Sequence, residues 1–378
     1  MLHRTHWESR IESAWRERSV VWLAGVRRSG KTTLCQGLQR ITYFDCERPR
    51  VRRMLDDPES FLEEHKGQRV VLDEIHRLEN PSEILKLAAD HFPEVRILAT
   101  GSSTLGASKK FSDTLLGRKR TIWLSPMIQA DLADFGSTDL KRRLRRGGLP
   151  PFFLAKEQPD ADFQEWFDGY WAKDLQELFR LERRHAFQKL TELLFIQSGG
   201  LFEAASFAAP CGISRPTVQT YLDVLEATFL VHVLRPFHSS RNREIVAAPK
   251  VYSFDTGFIA HHRGLDHLRP EDYGSLWEHY VLNELLAHGL EVRHWRDKAK
   301  HEVDFVLPIN PKAPVAIEAK WKATAFDPSN LMAFRGLYPE GLNFVVAQDV
   351  DRAYTKRFQD VAVRFVNLNG LIKGLALT

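Results

Sequence analysis

Short apolar runs punctuate the first third of the chain. Three of them, SVVWLAG (19–25), RVVLD (69–73) and EVRILAT (94–100), carry Val, Ile and Leu at consecutive positions. A strand that is covered on both faces shows no polar alternation, so these runs predict buried strands of a parallel sheet. The segment KTTLCQGLQR follows the first run and predicts a helix. This part of the chain is therefore predicted to have an α/β fold.

The middle of the chain changes to helical spacing. Apolar residues recur every three or four positions over 160–200, and the two glycines at the end of this segment predict where the helical region stops. A short helix, a turn at Gly212 and a second helix from about Pro216 follow. The strands LVHVLRPF (230–237) and KVYSF (250–254) come next, and the whole segment predicts a winged helix. One face of the second helix is apolar, through Val218, Tyr221, Leu222 and Leu225.

The last third predicts one helix over 277–287 and several strands. The strands are HEVDFVLP (301–308), VAIEAKW (315–321), GLNFVVAQ (341–348) and AVRFVNL (362–368). This combination predicts a second, smaller α/β domain.

The length of 378 residues exceeds what one ordinary core accommodates. We place domains at 1–145, 146–250 and 251–378, with the first boundary after a basic run that glycines and prolines follow. The net charge of +4 does not predict a bulk attraction to nucleic acid, and the three cysteines form no CxxC pair. The chain shows neither a signal-peptide core nor an apolar run that could span a bilayer, so we expect a cytoplasmic protein without a membrane partner.

The stretch GVRRSGKTTL (25–34) follows the first predicted strand and fits the P-loop pattern G-x-x-x-x-G-K-[ST]. Its glycines let backbone N–H groups surround phosphate oxygens, and the helix N-terminus adds partial positive charge. Lys31 would contact the terminal phosphates and Thr32 would bind Mg²⁺. ATP and Mg²⁺ are therefore the expected ligands, unless the stretch is only a glycine turn. The predicted nucleotide-binding residues are Gly25, Val26, Arg27, Arg28, Ser29, Gly30, Lys31, Thr32, Thr33 and Ser102.

Asp73 and Glu74 end the second predicted strand. Asp73 would orient Mg²⁺ and its waters, and Glu74 would polarise the attacking water for hydrolysis. The alternative is an acidic pair that simply ends a strand.

Ser102 and Arg118 are the remaining candidates of the first domain. A hydroxyl after the third strand would sense the γ-phosphate, or it would only cap a helix. Arg118 is a candidate arginine finger that would act on a neighbouring subunit of a homo-oligomer. Alternatively, Arg118, Lys119 and Arg120 form an ordinary solvated basic turn.

Four motifs, GVRRSGKTTL, VVLDEIH, ILATGSS and LLGRKRTIWLSPM, together resemble a prokaryotic family of AAA-type ATPases with a fused, largely uncharacterised C-terminal region. GGLP (147–150) and WAKDLQELFR (171–180) resemble this family as well. The family typically has a glutamate where this chain has Gln129-Ala130-Asp131. The resemblance implies an ATP-binding N-terminal domain that uses Lys31, Thr32, Asp73, Glu74, Ser102 and Arg118 in the roles given above.

The predicted winged helix leaves two interpretations open. The outward face of its second helix carries two acids, which disfavour contact with phosphates. Arg215, Arg241 and Arg243 would favour DNA binding. The alternative is a winged helix that serves packing or a protein partner. The outward residues are Thr217, Gln219, Thr220, Asp223 and Glu226.

Charged residues interrupt the apolar strands of the last third. Asp304 lies on one strand, Glu318 and Lys320 share one side of the next, and Glu278 lies on the helix. Such charges are costly unless they are paired or bound to metal. The arrangement resembles the PD-(D/E)xK nuclease fold, which implies that the three carboxylates hold Mg²⁺ or Mn²⁺ and that Lys320 positions the water. The alternative is a degenerate nuclease fold in which Glu318 and Lys320 form local ion pairs.

These patterns predict an ATP-binding and ATP-hydrolysing AAA-type protein that acts on DNA or RNA and carries a metal-dependent C-terminal nuclease site. The alternative is an ATP-dependent switch that binds a protein or DNA partner without cleavage. A degraded ATPase that binds nucleotide without turnover is the third hypothesis.

Overall fold

The computed structural model describes residues 3–101, 105, 109–156, 160–175, 183–238 and 248–376. The chain divides into two compact units. The first unit comprises Met1–Leu140, Gly148–His185 and Thr220–Leu230, and the second comprises Lys141–Gly147, Ala186–Gln219 and Val231–Thr378. The predicted α/β class is confirmed. The three-part division at 145/146 and 250/251 stays a prediction, and its middle part contributes residues to both units.

A five-stranded parallel sheet forms the centre of the first unit, in the spatial order β2-β3-β4-β1-β5. All five residues of the strand Val20–Ala24 are buried, and this strand pairs with a neighbour on each side. The strands are β1 (Val20–Ala24), β2 (Thr42–Asp45), β3 (Arg69–Asp73), β4 (Arg96–Thr100) and β5 (Lys119–Trp123). The apolar runs of the sequence therefore form the strands that they predicted.

Helices surround this sheet, and their apolar faces build the core with it. A 3₁₀ turn at Ile75–Arg77 follows β3, and a π-helical turn at Trp171–Leu175 extends the last helix. The helices are α1 (Thr5–Glu17), α2 (Lys31–Gly37), α3 (Pro49–Met54), α4 (Pro58–Glu64), α5 (Pro81–His91), α6 (Lys109–Thr114), α7 (Gln129–Asp134), α9 (Pro150–Leu154) and α10 (Asp160–Tyr170).

Three further helices contribute residues to both units. They are α8 (Leu140–Arg146), α11 (Arg184–Ile196) and α13 (Arg215–Ala227).

A buried ion pair joins the start of the first unit to α7. Arg4 donates from Nε and Nη2 to the two carboxylate oxygens of Asp131, at 2.8 and 2.7 Å, and from Nη1 to the carbonyl of Ser29 at 3.0 Å. The indole of Trp7 and the backbone N–H of Ile128 also donate to this carboxylate. Asp131 is thus a fully buried carboxylate with hydrogen-bond donors on both of its oxygens.

The second unit contains a six-stranded mixed sheet in the order β13-β14-β12-β11-β10-β9. Its strands are β9 (Arg293–Arg296), β10 (Glu302–Leu307), β11 (Val315–Lys320), β12 (Asn343–Ala347), β13 (Tyr354–Phe358) and β14 (Val361–Val366). The helices are α12 (Ala204–Cys211), α14 (Thr256–His262), α15 (Asp272–Ala287), α16 (Pro328–Leu337) and α17 (Leu368–Leu375). A 3₁₀ turn, Ala323–Ala325, precedes α16. The four predicted strands are all present, and the predicted helix is longer than 277–287.

A small antiparallel sheet follows the predicted helix-turn-helix. It has the order β6-β8-β7, with β6 (Gly200–Leu201), β7 (Val231–Leu234) and β8 (Lys250–Ser253). Gly212 ends α12 with a φ of 63°. The predicted apolar side of α13 is buried, and most of its predicted outward residues are exposed. Arg241 and Arg243 lie outside the described residues, and the winged helix stays a prediction.

No helix within the described ranges is long and apolar enough to cross a membrane.

Removal of the carboxylate of Asp131 is expected to destabilise the first unit strongly. Asp131→Ala leaves the guanidinium of Arg4 buried without its anion, which costs about 3–5 kcal/mol of the free energy of unfolding. Urea denaturation measures this loss. Asp134→Ala is the control, because this neighbour accepts only exposed bonds, from the backbone N–H and the hydroxyl of Thr5, and their loss costs about 1 kcal/mol. Equal losses in the two variants would contradict the assignment.

Candidate functional site

The loop between β1 and α2 is shaped by its backbone. Gly30 has a φ of 93° and precedes the first turn of α2. A Cβ on Gly25 would lie 2.9 Å from the carbonyl oxygen of Leu124, so this position has no room for a side chain. Arg28 adopts a left-handed φ of 62°, which costs about 1–2 kcal/mol for a residue with a Cβ. Strain of this kind is typical of ligand-binding loops.

Lys31 folds back over this loop. Its ammonium donates to the carbonyls of Gly25 and Val26 at 2.9 and 3.2 Å. The hydroxyl of Ser29 is buried and has no hydrogen-bond partner in the described part of the chain. The loop thus holds one cation in place and presents one unsatisfied polar group.

A cavity of about 450 Å³ opens beside the loop, within the first unit. Seven predicted nucleotide-binding residues, Arg27 to Thr33, line it in sequence, and Glu74 lines it as well. The remaining lining residues are Arg4, Leu34, Phe135, Pro150, Pro151 and Leu154. One compartment therefore contains the loop, the predicted base and an apolar rim.

Asp73 ends β3 as a buried carboxylate. The hydroxyl of Thr100 donates a short hydrogen bond to its Oδ1, and Tyr43 donates to its Oδ2 at 2.6 Å. Burial, followed by this hydrogen bond and the charge of Asp73, raises the pKa of Tyr43. The tyrosine therefore stays protonated and keeps the carboxylate oriented.

Glu74 has a left-handed backbone, with φ 55° and ψ 44°. Its backbone N–H donates to Thr100 Oγ1 at 3.2 Å, and its carboxylate lies 3.1 Å from Nδ1 of His76. Burial acts to raise the pKa of Glu74, but the hydrogen bond to His76 and the charge of Lys31 outweigh it, and the net pKa is lowered. Glu74 is thus a carboxylate that stays ionised at neutral pH, and the charge of the loop lysine contributes to this.

The other two predicted residues of the first domain are Ser102 and Arg118. Ser102 lies outside the described residues. Arg118 forms an ion pair with Asp90, 2.7 Å from Nε to Oδ1, on the surface of its own unit.

A second charged cluster lies in the second unit, at the predicted nuclease residues. Lys320 Nζ donates to Asp304 Oδ2 at 2.7 Å and to Glu318 Oε2 at 2.6 Å. The backbone N–H of Ala319 also donates to Asp304, at 2.9 Å. The other oxygen of Glu318, Oε1, is buried and has no hydrogen-bond partner among the described residues. The predicted placement of Glu318 and Lys320 on one side of β11 therefore agrees with the structure.

Glu278 has a tyrosine and a second lysine as its neighbours. Tyr252 donates to its Oε1 at 2.6 Å, and the ammonium of Lys250 lies 3.8 Å from the same oxygen. Lys250 is itself buried and forms a close ion pair with Glu302. Glu278 thus joins the cluster through a tyrosine and a second lysine.

Burial dominates the electrostatics of this cluster. It raises the pKa of Glu278 to about 7 and the pKa of Glu318 well above its usual range, and the charge of Asp304 adds to both shifts. Asp304 is also buried, but the charges of Lys320 and Lys250 outweigh this and lower its pKa. The two lysines therefore stabilise the ionised form of Asp304 fully, and that of Glu278 and Glu318 incompletely.

The three carboxylates do not converge into a metal centre in this conformation. Among the described residues, no three His, Cys, Asp or Glu side chains form a group that could hold a metal ion. The ammonium of Lys320 bridges Asp304 and Glu318 instead. The unsatisfied oxygen of Glu318 is the one feature that favours an additional cation here.

Three family models match the chain in succession. Residues 17–133 match the model of an AAA domain. This chain contains an AAA domain. This match confirms the predicted AAA-type family. Two domains of unknown function, DUF8612 and DUF4143, match residues 137–269 and 273–365, and they confirm the predicted uncharacterised C-terminal region.

Curated relatives extend beyond the AAA domain. An uncharacterised protein of Mycobacterium tuberculosis is 28% identical over 338 residues, which cover 86% of this chain and 75% of the relative. An uncharacterised protein of Haemophilus influenzae is 23% identical over 317 residues, which cover 75% and 78% of the two chains.

Among solved structures, the Walker-type ATPase PABY2304 of Pyrococcus abyssi has a TM-score of 0.44 and 15% identity, covering 70% of this chain and 96% of its own. The DNA clamp loader delta protein of Bacillus subtilis has a TM-score of 0.26 and 12% identity, covering 73% of this chain and 99% of its own.

Four residues of these sites were not predicted from the sequence. Tyr43 and Thr100 orient the buried carboxylate of the AAA domain, and Tyr252 and Lys250 hold Glu278 in the second unit. The sequence could have indicated Thr100, because this residue ends β4 beside the predicted strand β3. It indicates Lys250 more weakly, as a lysine at the start of an otherwise apolar strand.

Removal of the buried cation of Lys250 is expected to destabilise the second unit. Lys250→Met leaves Glu278 and Glu302 without their shared ammonium, which costs about 3 kcal/mol of the free energy of unfolding. Chemical denaturation measures the loss. Lys298→Met serves as the control because Lys298 is exposed, and it should change stability by less than about 0.5 kcal/mol. A Lys250→Met protein as stable as the control would show that the cluster does not need this cation.

Proposed function

We propose that the AAA domain binds ATP with Mg²⁺ and hydrolyses it. The observation that supports this most is the single cavity that the loop residues Arg27 to Thr33 share with Glu74. A phosphate chain in this cavity would meet backbone N–H groups, the N-terminus of α2 and a lysine on one side. A carboxylate with a lowered pKa would meet it on the other side.

Each residue of the proposed site has a defined task. Gly25 to Gly30 surround the phosphates, and Lys31 exchanges its bonds to two loop carbonyls for bonds to phosphate. Glu74 accepts the proton of the attacking water. Thr32 and Asp73 would hold Mg²⁺, and their hydroxyl and carboxylate oxygens are the donors that this ion prefers. Mg²⁺ neutralises the developing phosphate charge when it is bound.

Arg118 and Ser102 stay part of the proposal as arginine finger and phosphate sensor. In a homo-oligomer, Arg118 would have to exchange Asp90 for the nucleotide of a neighbouring subunit. The exposure of its ion pair supports this, because surface pairs contribute only about 0–1 kcal/mol.

ATP binding and hydrolysis are tested by two variants with different expected outcomes. Lys31→Ala removes the phosphate-binding ammonium and should abolish ATP binding in calorimetry. Glu74→Gln keeps the shape but not the base, so ATP should still bind while phosphate release falls about 100-fold or more. Glu79→Gln, an exposed acid five residues on, is the control and should hydrolyse normally. Hydrolysis by Glu74→Gln at the wild-type rate would contradict the assigned base.

We propose, as a second candidate function, that the cluster in the second unit cleaves DNA or RNA with a divalent metal. The bridged pair Asp304 and Glu318, together with Lys320 and the unsatisfied Glu318 Oε1, supports it. The competing proposal is a switch in which nucleotide binding controls the capture of a protein or DNA partner. The lysine bridge supports the switch, because it pairs one oxygen of Asp304 and one oxygen of Glu318 with a protein cation in place of a metal.

Cleavage distinguishes these two proposals. The nuclease proposal expects wild-type protein with Mg²⁺ or Mn²⁺ to cut DNA or RNA, and Asp304→Ala and Lys320→Ala to lose this activity. The exposed Asp351→Ala is the control and should cut normally. If the variants cut as well as wild type, the nuclease site is elsewhere. If nothing cuts, and Glu74→Gln with ATP retains a partner that wild type releases, the switch is favoured.

A further inference from the structure

Helix α10 contacts the phosphate-binding loop at three points, although it follows the matched AAA domain in the sequence. Trp166 Nε1 donates to the carbonyl oxygen of Arg27 at 2.9 Å. Arg28 Nη2 donates to Glu165 Oε1 at 2.7 Å. Arg27 Nη1 makes a longer bond, 3.4 Å, to the carbonyl oxygen of Gly169. The two arginines of the loop are therefore both engaged by one helix.

This helix is itself fixed within the first unit. The Trp166 ring is almost fully buried and stacks on Tyr170 at 5.6 Å and 10°. The hydroxyl of Tyr170 forms a 2.5 Å hydrogen bond with that of Thr228. Phe163 stacks on Phe152 at 4.6 Å and 13°. Because the contacts of Phe163 with Phe152 and of Tyr170 with Thr228 anchor the helix, it can act as a rigid support for the loop.

Arg28 is held in this arrangement by an exposed ion pair. Its side chain is 31% exposed, and the side chain of Glu165 is 68% exposed, so their ion pair is weak and screened by salt. Arg28 also lines the cavity next to Lys31. A nucleotide phosphate carries more charge than one carboxylate and is a preferred partner of a guanidinium. The phosphate and Glu165 would therefore compete for the same guanidinium.

We propose that Glu165 and Trp166 are positioning residues for nucleotide binding. Trp166 fixes the peptide group of Arg27, and with it the direction of the following loop N–H groups. Glu165 holds Arg28 until phosphate displaces it, and this competition sets the nucleotide affinity. The proposal rests on ATP binding by the loop.

The test compares ATP and ADP dissociation constants by calorimetry at two ionic strengths. Glu165→Gln releases Arg28, so both nucleotides should bind about two- to fivefold more tightly in about 0.05 M NaCl. The difference should shrink towards none in about 0.5 M NaCl, because salt screens the exposed wild-type pair. Asp168→Asn is the matched control, since it removes another exposed carboxylate–arginine pair, with Arg184, from the same helix. This control should not change either constant.

Trp166→Phe supplies the second arm, because it keeps a ring but loses the indole donor. ATP binding should weaken about fivefold at both ionic strengths, with KM raised and kcat unchanged. If Glu165→Gln and Trp166→Phe both bind nucleotide like wild type, the positioning role is overturned while ATP binding stands. If wild type binds no nucleotide, the proposed function fails and this proposal fails with it.

Discussion

The parallel pairing of β1, β4 and β3 is the constraint on which the proposed nucleotide site depends. Parallel strands end at the same edge of a sheet, so the loop after β1, Asp73 at the end of β3 and Thr100 at the end of β4 are brought together. Their hydrogen bonds then fix the side chains. A register shift of one residue would turn Asp73 to the opposite face of the sheet and separate it from both hydroxyls. The apolar strands therefore determine the geometry of the polar groups at their carboxyl ends.

The buried charges of the two sites are compensated by different kinds of partner. In the AAA domain, neutral hydroxyls of Thr100 and Tyr43 satisfy the buried carboxylate, and Lys31 bonds to carbonyls. In the second unit, two lysines share four carboxylates, of which two have strongly raised pKa values. The first arrangement leaves the lysine available to an anion. The second ties its lysines to the protein and leaves acidic groups incompletely compensated.

Local patterns in the sequence predicted much of this structure, but they could not predict contacts between residues that lie far apart in the chain. The continuous apolar runs predicted β1, β3 and β4, and the P-loop spacing placed Lys31 beside a cavity, because both depend on neighbours in the chain. Tyr43 looks like an ordinary strand aromatic until the sheet brings it to Asp73. Arg4 and Asp131 are 127 positions apart, and no local spacing could have paired them. The same holds for Lys250, whose partners lie on another helix and another strand.

The contact between Trp166 and Arg27 has a consequence for how such a protein can be divided. The matched AAA domain ends at residue 133, yet its phosphate loop is supported by a side chain that lies beyond this limit. A gene fragment that stops at residue 133 or 145 would encode a loop whose carbonyl and guanidinium face water where α10 should lie. The two segments therefore belong to one structural unit, and a polypeptide cut at the end of the family match would lose this support.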